Sequence, residues 1–556
     1  MKAGKMWSAV LVSMLGAALI LSACSNGNGN DNGKGKETNA KAEANSPKAG
    51  TADKSEDEPI KAEPLTFSYF GNYDWWGITS WGQDMISKWI TEKMGVTVKE
   101  VATGGASQAK LNTMIASNNL PDLILMDRGP GVERLRAAGA LVPLDDYLDK
   151  YPNFKQYVGE ATLNLLRSPD GKLYQLPNYY TSTPNGNSGW LIEKKIYKEL
   201  GSPALETFDD LHAYLKLVKE KYPTVIPLEI DTAGWGHRMI YTGFKENNPP
   251  MLVDHSVYVD GDQFKPIWGD PVYAESLKYV SMLFREKLIS QDALTQTGDQ
   301  LSEKLVNGRV AVIAAGDAAN LGRTPDEELK KKDPEDGYMA VWPIHKEGLD
   351  KNKITPNNWN SLGWNVNVIT KNAKDPEGIF RFLDWMTGPE GQQVVWFGPQ
   401  GVLWDSVDGD GIPVPNDKWT SMPSEEKDKI GLQSYNFVGN TTFIDGAKVK
   451  IEMALPEEKR NWSTVQQTNV FWKTSMNATQ FVNLDPLPDT AEGIAAQSVS
   501  EIAKEALAKA IFAKNDAEVD AVLAQAEKDA RKVGFDQVLT FKTNAWHKNQ
   551  TIVEGN

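Results

Sequence analysis

Four consecutive apolar residues, Leu123-Ile124-Leu125-Met126, introduced by Pro121-Asp122, do most to limit what this chain can become. A strand that is apolar at every position must be covered on both faces, as strands are inside a parallel sheet flanked by helices. The preceding residues agree with this. Leu65-Thr66-Phe67-Ser68-Tyr69-Phe70 alternates as a strand does, and Trp81, Met85, Ile86, Trp89 and Ile90 share one face of a helix that stops at Gly95. Val96 to Val101 is a second strand, and Leu111, Met114 and Ile115 line a second helix. Strand, helix, strand, helix, strand is an α/β order. Open sheets of this kind hold ligands just past the C-terminal ends of their strands, where Asp127-Arg128-Gly129 falls, although a loop salt bridge uses the same residue types.

The chain has 556 residues, enough for two or three domains on the usual scale of about 100 to 200 residues each. Its first 23 residues place Lys2 and Lys5 ahead of an uncharged apolar run that ends in small residues, the order of a secretory signal and too short for an ordinary membrane span. Leu21-Ser22-Ala23-Cys24 closes that run and resembles a bacterial lipobox, in which the cysteine is alkylated by lipid and becomes the first residue after cleavage. A thiolate suits that chemistry because it is a good nucleophile. Residues 24–63 are rich in Asn, Gly, Lys, Glu and Ser and carry no aromatic residue, so they read as a disordered tether with a reach of about 35 Å. The protein is therefore expected to be lipid-anchored at the cell membrane and to face outward.

Formal net charge is −15, or −17 once Lys2 and Lys5 leave with the signal, which argues against nucleic acid and against a basic membrane-binding face. Cys24 is the only cysteine, so there can be no internal disulfide and no thiol chemistry in the folded part. The five histidines are scattered with no HExxH spacing, and no GxSxG is present. A glycosidase needs only two carboxylates, and with 74 acidic residues such a pair is not excluded, though nothing marks one. Asp405-Ser406-Val407-Asp408-Gly409-Asp410-Gly411 departs from the EF-hand pattern at its third and sixth positions and reads as a tight hairpin turn. No metal and no cofactor are expected.

Several pieces occur in a telling order: Ser117-Asn118-Asn119-Leu120-Pro121-Asp122, Gly139-Ala140-Leu141-Val142-Pro143-Leu144, Gly171-Lys172-Leu173-Tyr174-Gln175-Leu176-Pro177, Asn307-Gly308-Arg309-Val310-Ala311-Val312, and Asp375-Pro376-Glu377-Gly378-Ile379-Phe380. Together, behind a lipobox, they resemble the family 1 extracellular solute-binding proteins, the sugar-capturing subunits of ABC importers, and in particular their large lipoprotein branch. The resemblance runs from about Leu65 to the end. It implies a two-lobe periplasmic-binding-protein-like α/β fold with hinge crossings and a helical C-terminal extension, closing on a ligand between the lobes.

On that basis lobe one is expected at 64–178 with a return at 309–363. Lobe two is expected at 179–308, beginning with the hinge crossing, and at 364–556. Thr207 to Asp210 starts a helix as a capping box, Asp270-Pro271 and Asp375-Pro376 start two more, and helices are expected at about Thr490 to Ala513 and Asp516 to Val533.

The pyranose C–H faces of a sugar want flat aromatic surface and its hydroxyls want planar polar partners. Trp, normally scarce, here numbers 18 against 17 each of Phe and Tyr. The loops that the two-lobe arrangement sets around the cleft then supply Asp74, Trp75, Trp76, Asp127, Arg128 and Asp317 from lobe one and Asn178, Tyr179 and Tyr180 from the crossing. Trp190, Trp235 and Arg238 come from lobe two, and Trp359 and Trp364 from the second crossing. The function expected is capture of an oligosaccharide by a monomeric receptor that delivers it to a membrane permease, without chemistry. The alternatives are a peptide or other small solute as ligand, and a surface-anchored glycosidase or lyase.

Overall fold

The computed structural model describes residues 64–555 except Thr79, residues 232–234, Pro423, Gln433 and Asn436, so the signal, Cys24 and the tether lie outside the described residues. The strand order expected at the start of the chain forms a five-stranded sheet. Across it run Val96–Glu100, Leu65–Gly71, Leu123–Asp127, Asn365–Ile369 and Leu176–Asn178. The first three are parallel, and Asn365–Ile369 runs antiparallel to both of its neighbours. Leu123 to Met126 are all buried, as a strand covered on both faces requires.

A second, four-stranded sheet runs Tyr338–Val341, Gly189–Glu193, Val310–Ala315, Ile226–Ile230. Its centre is Val310–Ala315, six buried residues paired on both edges. This corrects the assignment of 309–363 to lobe one. A fully apolar strand needs neighbours on both sides, and those neighbours are Gly189–Glu193 and Ile226–Ile230 in lobe two. The complementary assignment, of everything after 364 to lobe two, is also corrected. Asn365–Ile369 fills the gap between Leu123–Asp127 and Leu176–Asn178, and the helix Pro376–Thr387 buries Ile379, Phe380 and Leu383 in the lobe-one core. The helix Thr441–Ala454 also packs there through Ile444, Ala447 and Ile451.

The chain thus crosses between the lobes three times: after Tyr180, before Asn365, and between Ala454 and Trp462, whose indole sits in the lobe-two core. The crossings are stitched together by side-chain amides. Asn357 Oδ1 accepts from the Ser188 amide at 2.6 Å, and its Nδ2 donates to the Ser188 carbonyl at 2.6 Å. Gln467 Nε2 donates to Asn187 Oδ1 at 2.7 Å, and Asn357–Trp359 pairs in parallel with Ser475–Asn477.

Thr207 and Asp210 form the expected capping box, and Asp270 and Asp375 cap the helices that begin at Pro271 and Pro376. Three C-terminal helices, Ala491–Ile511, Asp516–Lys532 and Phe535–Glu554, share a buried cluster with Tyr273 and Leu277 of lobe two. Trp404–Val407 and Pro413–Pro415 form the hairpin expected around Asp408, whose carboxylate and that of Asp410 both meet Lys450 Nζ. Among the described residues no helix is long and apolar enough to cross a membrane.

Candidate functional site

The strands Leu65–Gly71 and Leu123–Asp127 end side by side, and the turns that follow them meet. Tyr73 Oη donates to Asp127 Oδ1 at 2.8 Å, and burial, reinforced by that carboxylate, pushes the phenol above its ordinary range. Around Tyr73 the aromatic rings form a platform. Trp75 lies 5.2 Å away at 25° and Trp364 lies 5.1 Å away, while the rings of Trp75 and Trp364 are 6.4 Å apart at 29°. Trp75 is 60% exposed, an unusual position for so large an apolar surface. Trp76, 5.4 Å from Trp75, is half-buried against Tyr69, with its Nε1 buried and without a partner among the described residues.

Beside this platform opens a cavity of about 910 Å³, within the range that holds small organic ligands. Asp127, Arg128 and Trp364 line it from lobe one and the second crossing, with Asn358 and Asn360 at the hinge. Asp254 and His255 face them from lobe two, and Phe541, Asn544, Lys548 and Asn549 of the last helix complete the wall. Arg128 Nη1 reaches Asn483 Oδ1 only at 3.4 Å, and its Nε is buried with no partner among the described residues. Burial draws this guanidinium down to about 10, against the opposing pull of Asp127 and Tyr73. On the far wall the buried Lys542 Nζ lies 3.0 Å from Asp485 Oδ1, and His255 Nδ1 lies 3.1 Å from the same oxygen. Burial alone would raise Asp485, but His255 and Lys542 together hold it far below the carboxylate range.

Other expected residues serve the fold instead. Asp74 is exposed, and its Oδ1 accepts from the amide and hydroxyl of Ser107 at 2.7 and 2.8 Å, capping the helix Ser107–Ala116 from a distance. Those bonds lower its pKa. Asn178 is buried and accepts from the Gly439 amide, Tyr179 packs edge-on against Trp396, and Tyr180 is buried with its carbonyl bound to Thr441. These three belong to the interior of lobe one because the crossing does not begin until after them. Trp190 is fully buried in lobe two.

Arg238 is buried and pairs with Asp254, so it acts on the cavity wall through that carboxylate. Trp235 opens the helix Trp235–Thr242, and its side chain lies outside the described residues. Trp359 is half-buried in the hinge strand, with Nε1 buried and unpartnered among the described residues. Asp317 precedes the helix Ala318–Leu321 in lobe two. It accepts from Asn320 Nδ2 at 2.7 Å, and burial lifts it to about 6.

Sequence reasoning passed over Asn358, Asn360, His255, Asp485 and the whole last helix. The amide density of Asn357-Asn358-Trp359-Asn360 was the available signal for the first two. Nothing in the spacing of the others pointed to a cavity.

A family model described as bacterial extracellular solute-binding protein matches residues 75–393. The chain belongs to that family. Its fold is shared by an alginate-binding protein, AlgQ2, at 19% identity and TM-score 0.64 over 87% of this chain and 98% of that one. A Bifidobacterium longum infantis solute-binding protein described as HMO-binding and ABC-transporter-associated superposes with TM-score 0.61 at 17% identity, over 88% of this chain and 99% of that one. The Streptococcus pneumoniae ABC-transporter substrate-binding protein FusA, solved with kestose, gives TM-score 0.62 at 17% identity, over 88% of this chain and 100% of that one. A curated but uncharacterised protein of Niallia circulans is 30% identical over 142 residues, and the match covers 25% of this solute-binding protein and 52% of that relative.

Proposed function

We propose that this solute-binding protein captures an oligosaccharide between its lobes and delivers it to the membrane permease of an ABC importer. The observation that carries the reading is the exposed Trp75, stacked with Tyr73 and Trp364 at the edge of a cavity lined by Asn358, Asn360, Asn544 and Asn549. Flat rings offer the contact that sugar C–H faces favour, and side-chain amides offer both donors and acceptors to hydroxyls. The described functions of the AlgQ2, Bifidobacterium and FusA proteins, all sugar binders on this fold, support the choice of ligand class. On this reading the protein is a monomer, held at the outer face of the membrane by lipid on Cys24, and it returns its ligand unchanged.

A thermal-shift panel of oligosaccharides and peptides tests it. A ligand at a hundred times its Kd stabilises the folded state by about 2.7 kcal/mol. Sugars are expected to raise the melting temperature and peptides to leave it unchanged, and the reverse pattern removes the sugar reading. Chromatography of the incubated sugar is expected to show no cleavage. Replacing Cys24 by Ala is expected to release the protein from the membrane fraction.

A further inference from the structure

We infer that the cavity reads a negatively charged substituent on its oligosaccharide, a carboxylate or a sulfate, and that Arg128 is the residue that reads it. The inference rests on the sugar reading above and narrows it. A guanidinium carries five N–H donors in a planar fork suited to a two-oxygen acceptor. In this structure only one long contact, to Asn483 at 3.4 Å, uses that capacity, while Nε is buried and unpartnered among the described residues. No carboxylate among those residues lies within ion-pair distance of it, although Asp127 precedes it in the chain. Arg128 as a whole is half-buried, and its Nε, shut off from water without an acceptor, is costly unless an anion completes it.

The carboxylates around the cavity are already engaged. Asp127 accepts from Tyr73, Asp254 pairs with Arg238, and Asp485 is held by Lys542 and His255. Glu492 sits in the first turn of the helix Ala491–Ile511, where the helix dipole favours a negative charge. Lys548, also in the wall, forms no ion pair among the described residues. Glu133 and Arg167, which also line it, are taken up by Arg136 and Asp145, so among the described residues the cations free to act are Arg128 and Lys548. Trp364 and Arg128 line the same cavity, so one oligosaccharide can meet an aromatic face and the guanidinium together. The chain's overall charge of −15 gives an anion no long-range attraction, so recognition has to come from these short contacts.

Isothermal titration calorimetry with three length-matched series separates the outcomes: neutral xylo-oligosaccharides, oligogalacturonates, and sulfated galactan oligosaccharides. Wild-type protein is expected to bind at least one charged series more tightly than the neutral one, and the series that binds identifies the anion. Arg128→Gln is expected to weaken that binding about 10- to 100-fold, the effect of losing a charge-assisted bond, and to weaken neutral-sugar binding by a clearly smaller factor. Arg128→Lys keeps the charge but loses the fork, and is expected to fall between the two. It also carries the test should the Gln variant not fold. Tight binding of the neutral series alone, or equal weakening of charged and neutral series by Arg128→Gln, overturns the inference while the sugar reading stands. Failure of all three series in a protein that binds peptides overturns both.

Discussion

A Cβ placed on Gly363 would stand 2.0 Å from the carbonyl oxygen of Asn178, the last strand residue of lobe one before the chain first crosses to lobe two. Gly363 lies on the second crossing with φ at 67°, in the left-handed region. Two crossings therefore touch backbone to backbone at this point. Gly363→Ala adds the left-handed penalty of about 1–2 kcal/mol to an overlap with main-chain atoms that cannot rotate away. The strand pairing Asn178 with Asn365 lies directly beside it. The expected result is a loss of about 2 kcal/mol or more, read as a melting temperature several degrees lower. An unchanged melting curve would show that the crossings have room the structure does not.

Trp75 is the opposite case, a large ring that the fold does not need. Because it is 60% exposed, Trp75→Ala is expected to change stability by no more than about 0.5 kcal/mol. Loss of its stacking surface should weaken oligosaccharide binding about three- to tenfold, the equivalent of one aromatic contact. Calorimetry and thermal denaturation on the same variant separate the two effects. A large fall in stability with unchanged affinity would place Trp75 in the fold and not in the site.

Trp190 stood with Trp75 among the expected ligand-binding residues but is buried on all sides between Gly189 and Leu191 in the second sheet. Trp190→Ala removes a core ring and is expected to cost about 3–5 kcal/mol. Denaturant titration should show lobe two unfolding at markedly lower denaturant. Ligand affinity measured well below that transition should change far less than in Trp75→Ala.

The contrast between these two tryptophans marks how much of the molecule was legible beforehand. Strand and helix identities follow from local periodicity and caps, so Leu123–Asp127, the Thr207 capping box and the helices beginning at Ala491 and Asp516 lie where the pattern puts them. The lobe to which a strand returns is a long-range property. Val310–Ala315 and Asn365–Ile369 are both short, fully buried strands, and only their pairing partners, 80 or more residues away in sequence, decide which sheet takes each. The error at 309–363 followed from that. In the site, Trp75, Asp127, Arg128 and Trp364 were reachable because strand ends and aromatic turns have a signature, whereas Tyr73 beside them was not singled out. The last helix, Phe535–Glu554, was not, because Asn544, Lys548 and Asn549 are ordinary surface residues until tertiary packing brings them to the cavity.

Asp317 supplies a pH dependence whose sign is fixed by burial. Its carboxyl is lifted from 3.8 to about 6, first by desolvation and further by the nearby Asp231, against the hydrogen bonds from Asn320 and Asn187. A carboxyl with a raised folded-state pKa binds its proton more tightly in the folded protein than in the unfolded chain. The stability it contributes is therefore complete below about pH 4 and is lost as pH rises through 6. A shift of about two units corresponds to at most about 3 kcal/mol at neutral pH. Asp317→Asn imitates the protonated form and keeps an oxygen to accept from Asn320 at a site where the wild type accepts at 2.7 Å. The variant is expected to be more stable than wild type at pH 7.5, with the gain shrinking between pH 6 and pH 4 and vanishing below. Denaturant titrations of both proteins across that range check it. A variant that is less stable at pH 7.5 would mean that the ionised carboxylate is held by its amide partners and is not strained by burial.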